Sequence, residues 1–254
     1  MDEATGTDEA TGLNAKGAKA TTWSLRLAAA GIVLVVVGLI GARIGLTPML
    51  AMLLLTLGSL TLIAGGISGA IGLFRSRGKI ESAATAWGAV LLGIATIVST
   101  GSMMGGGGAP IHDISTDTLD PPEFIAVAEL RGPDDNPVEY AGPESAAIQA
   151  TAYPDIETIV LLDPRSFVFE TALKVAQDMG WEIIASDAAE GRIEATATTP
   201  FVGFKDDVVI RVRAKSAETL VDVRSKSRMG RGDMGVNAQR IRDFRDQLIK
   251  AANP

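Results

Sequence analysis

The chain has 254 residues, 47% hydrophobic and 21% charged, with a formal net charge of −7. That balance excludes general nucleic-acid binding, which calls for a basic face. Cysteine is absent and His112 is the only histidine, which excludes disulfides, thiolate metal sites, cysteine nucleophiles and any chemistry built on a histidine pair.

Residues 1–24 are rich in Ala, Thr, Gly, Asp and Glu without apolar periodicity, the composition of a disordered tail. Three apolar runs follow within residues 25–100: Leu25 to Ile44, Leu46 to Phe74 and Ala83 to Thr100. About 20 apolar residues suffice for a helix to cross the hydrocarbon core, so the pattern predicts three transmembrane helices. Lys16, Lys19 and Arg26 precede the first, and Arg75, Arg77 and Lys79 lie between the second and third, whereas Arg43 alone marks the intervening turn. Basic short loops stay in the cytoplasm. The expected topology is a multi-pass protein of the cell inner membrane, its N-terminus cytoplasmic and everything after Thr100 periplasmic. Trp23 and Trp87 fall near the cytoplasmic helix ends, where indoles favour the interface. Small residues recur four apart at Gly41 and Gly45, Gly65 and Gly69, Gly66 and Ala70, and Ala89 and Gly93. Such pairs admit close helix approach, either among these helices or in a homo-oligomer. No acidic residue lies within the three runs, which counts against a transporter.

Residues 101–118 read as a Gly-rich linker, beginning GSMMGGGGAP and flexible by composition. His112, Asp113 and Asp117 are too few and too loosely spaced to define a metal site; no metal and no cofactor is expected. Residues 119–254 form the expected extracytoplasmic domain. Thr158 to Leu162 reads as a buried strand, with Asp163-Pro164 capping a helix that carries Val168, Ala172, Val175 and Met179 and stops at Gly180. Ile193, Ala195 and Ala197 alternate with Glu194 and Thr196; Val208, Ile210 and Val212 with Arg211 and Arg213; Val221 and Val223 with Asp222 and Arg224. This period-two pattern belongs to an antiparallel sheet buried on one side. A last helix starts at Asn237 and buries Ile241, Phe244 and Leu248. The fold class is thus three N-terminal transmembrane α-helices plus an α+β domain, β-α-β-β-β-β-α, with two helices on one face of the antiparallel sheet.

Pairing Val212 with Val221 and Ile210 with Ala195 aligns Glu194, Arg211 and Asp222 in a polar row on the open face. The row is a solvated surface or a platform for a partner, unless residues 119–155, which show no clear pattern, cover that face. Asp206 and Asp207 point to opposite faces, so they cannot work as a catalytic pair, and Ser225 and Ser227 have no histidine partner. No catalytic residue is assigned. The loop SKSRMGRGDMGVNAQR, Ser225 to Arg240, combines glycines with cations at a helix start, an arrangement suited to an anion. Arg228, Arg231, Asp233, Asn237 and Arg240 are the candidate ligand set; the alternative is a structural loop. The turn Pro200-Phe201-Val202-Gly203-Phe204 either dips into a membrane interface or packs under the last helix. Residues 111–190 hold 17 acidic and 3 basic residues, whereas residues 191–254 hold 8 and 13. The basic half either faces anionic headgroups or attracts the acidic half within the fold.

The stretches IHDISTDTLDPP, YPDIE, MGWEI, GRIEATATT, GFKDDVVIRVR and VDVRSKSRMGRGDMGVNAQRI resemble the domain of unknown function 1499 family of bacteria and chloroplasts. The resemblance covers the chain from about Ile111 onward and leaves out the apolar helices. One departure is the turn before GFKDD, where Pro200-Phe201-Val202 stands in place of the family's second aromatic. The resemblance implies a membrane-associated or exported domain and supplies no catalytic residue. The expected function is non-catalytic binding of a membrane or periplasmic protein partner, or of an anionic ligand, beside the lipid bilayer and without nucleic acid. The alternative is a carboxylate-dependent hydrolase tethered at the outer face.

Overall fold

The computed structural model describes residues 3–76, 80–104, 108–199 and 202–252. The chain divides into an N-terminal helical unit and a C-terminal domain.

The helical unit consists of α1 (Glu3–Arg43), α2 (Pro48–Ser76) and α3 (Ile80–Met104). Helix α1 begins within the stretch expected to be a disordered tail. That stretch has many alanines and no proline, and it continues an apolar helix. Extending an existing helix needs no new nucleus. Among the described residues, two segments are long and apolar enough to cross a membrane, Lys19–Arg43 and Pro48–Arg75, and under a third of each is buried. Within α3 the apolar stretch among the described residues is shorter, Ala86–Thr96. Gly66 of α2 packs on Ala89 and Gly93 of α3, and Gly31 of α1 on Gly58 of α2. Several of the small-residue pairs are therefore used between helices of one chain. Arg77 and Lys79, which entered the orientation argument, lie outside the described residues.

The domain begins earlier than its sequence suggests. Helix α3 runs through Gly101 to Met104, and Asp113–Ser115 is already strand β1. The linker expected over 101–118 is correspondingly shorter. A short 3-10 turn (Val127–Leu130) and α4 (Gly142–Ala152) follow β1. From there the expected order holds: β2 (Ile159–Leu161), α5 (Arg165–Asp178), β3 (Glu182–Asp187), β4 (Arg192–Thr198), β5 (Lys205–Lys215), β6 (Glu218–Ser227) and α6 (Val236–Ala252). The sheet is antiparallel in the order β1-β6-β5-β4-β3, and β2 pairs with β6 beside β1.

Local chemistry fixes the turns. Helix α5 ends in a glycine cap: Gly180 has φ 75°, and the Trp181 amide donates to Ala176, as in a Schellman motif. Its start differs from expectation, for Pro164 holds the N-cap position and no side chain caps the helix. Gly191, φ 71°, turns β3 into β4 where a Cβ would stand 2.2 Å from the Val212 carbonyl oxygen.

One sheet face carries the main core. Ile193, Ala195, Ala197, Val208, Ile210, Val212, Val221 and Val223 meet Val168, Ala172, Ile241, Phe244 and Leu248 of the two long helices. Trp181 stacks on Phe244 at 5.6 Å between ring centroids. The outer edge of β1 is closed by Gln149 of α4, whose amide accepts from the Ser115 N–H at 3.0 Å and donates to its carbonyl at 2.6 Å.

Candidate functional site

The polar sheet face is not open. Residues 116–141 cross it as a strap, with Phe124 and Val127 packed on Val209. The strap has seven carboxylates and one cation, Arg131. Beneath it Glu194, Asp207, Arg211, Arg213, Asp222, Arg224, Lys226 and Arg228 share one face with Asp113 of β1, as strand alternation and register require. The acidic half of the domain thus lies on the basic half, one of the two outcomes its charge asymmetry allows.

Arg224 is the centre of this layer and is 2% exposed. Its Nε and Nη2 donate to the two carboxylate oxygens of Asp113 at 2.8 and 2.9 Å. Nη1 donates to the Pro122 carbonyl and Nη2 also to that of Val138. The guanidinium lies over the rings of Phe124 and Tyr140, 4.7 and 5.3 Å from their centroids. A planar fork over aromatic faces suits arginine and not lysine. Lys226 reaches Asp113 at 3.1 Å and the Glu139 carbonyl, and burial holds its pKa below the usual lysine value. Burial, with Asp113 adding to it, pushes the Tyr140 phenol up to about 12.

Asp207 accepts from Arg131 at 2.8 Å, from Arg228 at 2.8 Å and from Thr196 at 2.9 Å. Glu194 is buried, and its Oε2 accepts the Ile125 and Val127 amides, each at 3.0 Å. Its other oxygen has only an ion pair to Arg192 at 3.4 Å. At the rim Arg211 and Arg213 both bind Asp117, Asp120 and Asp222.

The expected polar row is half present. Arg211 stands opposite Asp222 and Val212 opposite Val221, but Ile210 faces Ile193 and not Ala195, so Glu194 lies opposite Val209. A two-residue slip keeps every side chain on its own face, and alternation alone cannot detect it.

The loop Ser225 to Arg240 is not a ring of free arginines. Arg228 is committed to Asp207 under the strap, while Arg240 is committed to Asp206 at 2.6 Å on the helix side. The sheet separates the two. The α6 start is capped by Asp233, which accepts the Gly235 and Asn237 amides at 2.9 and 2.6 Å, so Asn237 is not the N-cap. Its buried side chain instead joins Ser225, Ser227, Arg240 and the His112 carbonyl. Arg231 is exposed. A hollow of about 400 Å³ lies beside this loop, lined by Tyr153, Met234, Val236, Gln239 and Arg242 among others, and by none of the five predicted ligands. Arg242 is itself held by two bonds of 2.7 Å to Asp155, whose carboxyl this arginine lowers to about 2. Asp206 and Asp207 do point apart. Of the metal candidates, Asp113 is spent on Arg224 and Lys226, Asp117 on the rim arginines, and His112 Nδ1 lies 3.3 Å from the Arg231 carbonyl oxygen. Pro200 and Phe201 lie outside the described residues.

Sequence reading gave Arg131 no role, weighed Asp113 only as a metal ligand, and left open whether the residues after 118 cover the sheet face. A signal was available: Arg224, Lys226 and Arg228 alternate along one side of the chain, opposite Val223, Ser225 and Ser227. Three cations in such a row call for acids above them.

The architecture defines a class: an α+β domain with one apolar and one ionic sheet face, carried behind long apolar helices. Residues 113–248 match the family described as Protein of unknown function (DUF1499), and the chain belongs to that family. No functionally curated protein matches it.

Proposed function

We propose that the protein is a multi-pass inner-membrane protein, N-terminus in the cytoplasm, whose α+β domain stands on the outer face and binds a protein partner without catalysis. The observation that carries this reading is the apolar, largely unburied character of Lys19–Arg43 and Pro48–Arg75. Side chains such as Ile40, Leu60 and Leu91 lie exposed on all three helices, as lipid-facing residues would. Lys16 and Lys19, before the apolar part of α1, and the basic residues at and after the end of α2 favour the cytoplasmic side there, which makes α3 the third span and the domain external.

A protein partner is favoured over a small anion because Arg228 and Arg240 already have carboxylates of their own. Leu119 and Leu162, 98% and 80% exposed, offer apolar contact. The hydrolase alternative gains little from the geometry: the carboxylates that converge, Asp117, Asp120 and Asp222, close on Arg211 and Arg213.

The cysteine-free chain suits a labelling test. Single cysteines at Lys19, Ile44 and Leu119 are treated in intact spheroplasts with a membrane-impermeant maleimide. The expected result is labelling of Ile44→Cys and Leu119→Cys, with Lys19→Cys reacting only after permeabilisation. Protection of Leu119→Cys beside labelled Ile44→Cys would mean two spans and an internal domain.

A further inference from the structure

The strap is attached to the sheet by different means from the rest of the fold. Its buried apolar contacts come down to Phe124 and Val127 on Val209, with Val138 and Ile184 partly buried beside them. Its other anchors are polar, and several reach backbone groups of the strap: Arg224 to Pro122 and Val138, Arg228 to Leu130, Lys226 to Glu139, Glu194 to Ile125 and Val127. These anchors are side chains of the sheet. Thr116 and Asn136 also bond the β6 backbone at Val223, Ser227 and Arg228, whereas the ladders that join β3, β4, β5 and β6 contain no strap residue.

The interface is also incompletely satisfied. Among the described residues, the buried side-chain atoms without a hydrogen-bond partner include Glu194 Oε1, Arg213 Nε and Tyr140 Oη. All three belong to the strap or to the face it covers. Buried polar groups are nearly always paired, and a layer that leaves several unpaired is held less firmly than its bond list suggests. By contrast β5 and β6 pair continuously from Asp206↔Ser227 to Lys215↔Glu218 over an apolar core.

We propose that residues 116–141 form a releasable strap, which lifts from the sheet as one unit while β3 to β6, α5 and α6 stay folded. Release uncovers Val209 and removes Asp117 and Asp120 from Arg211 and Arg213, which keep only Asp222. The bared face then presents Val209 beside Arg224 at its centre and is cationic at the rim, where Arg211 and Arg213 lie. The device is a property of the domain and does not depend on the membrane reading.

The test is amide hydrogen exchange by mass spectrometry on the full-length protein in detergent at neutral pH. The expected result has two parts. Peptides spanning Ile125 and Val127 are protected at least about tenfold relative to an unstructured chain, yet exchange at least about 100-fold faster than those of β5 and β6, as for a separate unit of lower local stability. Glu194→Gln, which weakens the acceptor of both amides, speeds the strap about tenfold and leaves β5 and β6 unchanged. A strap that exchanges at the rate of the sheet, one that shows no protection, or equal acceleration of both regions in the variant overturns the proposal. Should Glu194→Gln fail to fold, Asp120→Asn at the exposed rim provides the same comparison.

Discussion

The two faces of one sheet are closed in opposite ways. Toward α5 and α6, Val208, Ile210 and Val212 meet Phe244 and Leu248, and what holds them is apolar area removed from water, which is non-directional. Toward the strap, Asp207, Arg211 and Arg213 alternate with those same residues along β5 and meet charges that must be matched atom by atom. An apolar core tolerates a change of shape at a graded cost. A buried ionic layer is less forgiving, since removing one partner strands the other without water. A single strand pattern therefore yields one face that is robust and one that is conditional.

Matched substitutions sharpen this contrast. Phe244→Ala opens a cavity in the helix-side core, and Arg224→Ala leaves Asp113 with Lys226 as its one cation and removes the Arg224 donors from two strap carbonyls. Each is expected to cost about 3–5 kcal/mol, the first as lost packing and the second as a broken buried pair. Urea unfolding of the full chain, read from Trp181 after Trp23→Phe and Trp87→Phe, measures both. Arg224→Lys recovers little, because an ammonium lacks the two-pronged geometry that meets Asp113. A loss below about 0.5 kcal/mol for Arg224→Ala, the ordinary surface value, would break the comparison. Asp233→Ala removes the α6 cap and is expected to cost about 0.5–2 kcal/mol in the same assay.

The smallest effect lies outside both layers. Arg242 lowers the Asp155 carboxyl from 3.8 to about 2. A depressed folded-state pKa adds stability that is present above the unfolded value and lost as pH falls through the folded one. Asp155 is 46% exposed, so the gain is screened to below about 1 kcal/mol. Asp155→Asn is expected to differ from the parent near neutral pH, with the difference shrinking between about pH 4 and pH 2.

Much of the helix-side face was legible in the chain itself. Val208, Ile210 and Val212, and Val221 with Val223, give their own alternation, and the short link between Lys215 and Glu218 fixes Arg211 against Asp222. The β4–β5 register was not legible, because a shift of two residues leaves inside and outside unchanged. The strap was illegible for a different reason. Residues 116–141 have no periodicity and hold seven acids, the composition of a solvated loop, and only the cations of β6 hint that these acids are wanted elsewhere. The grouping of Arg228 with Arg240 had a related cause, since proximity in sequence hid the sheet that separates them.

Gln149 has a consequence for neighbouring molecules. A bare strand margin is a template on which further chains grow into fibrils, and proteins blunt such margins by several means. Here one carboxamide mimics the peptide group of an incoming strand, matching both the donor and the acceptor of Ser115. The chain supplies its own terminator, so many copies crowded side by side have no polymerisation seed at this position.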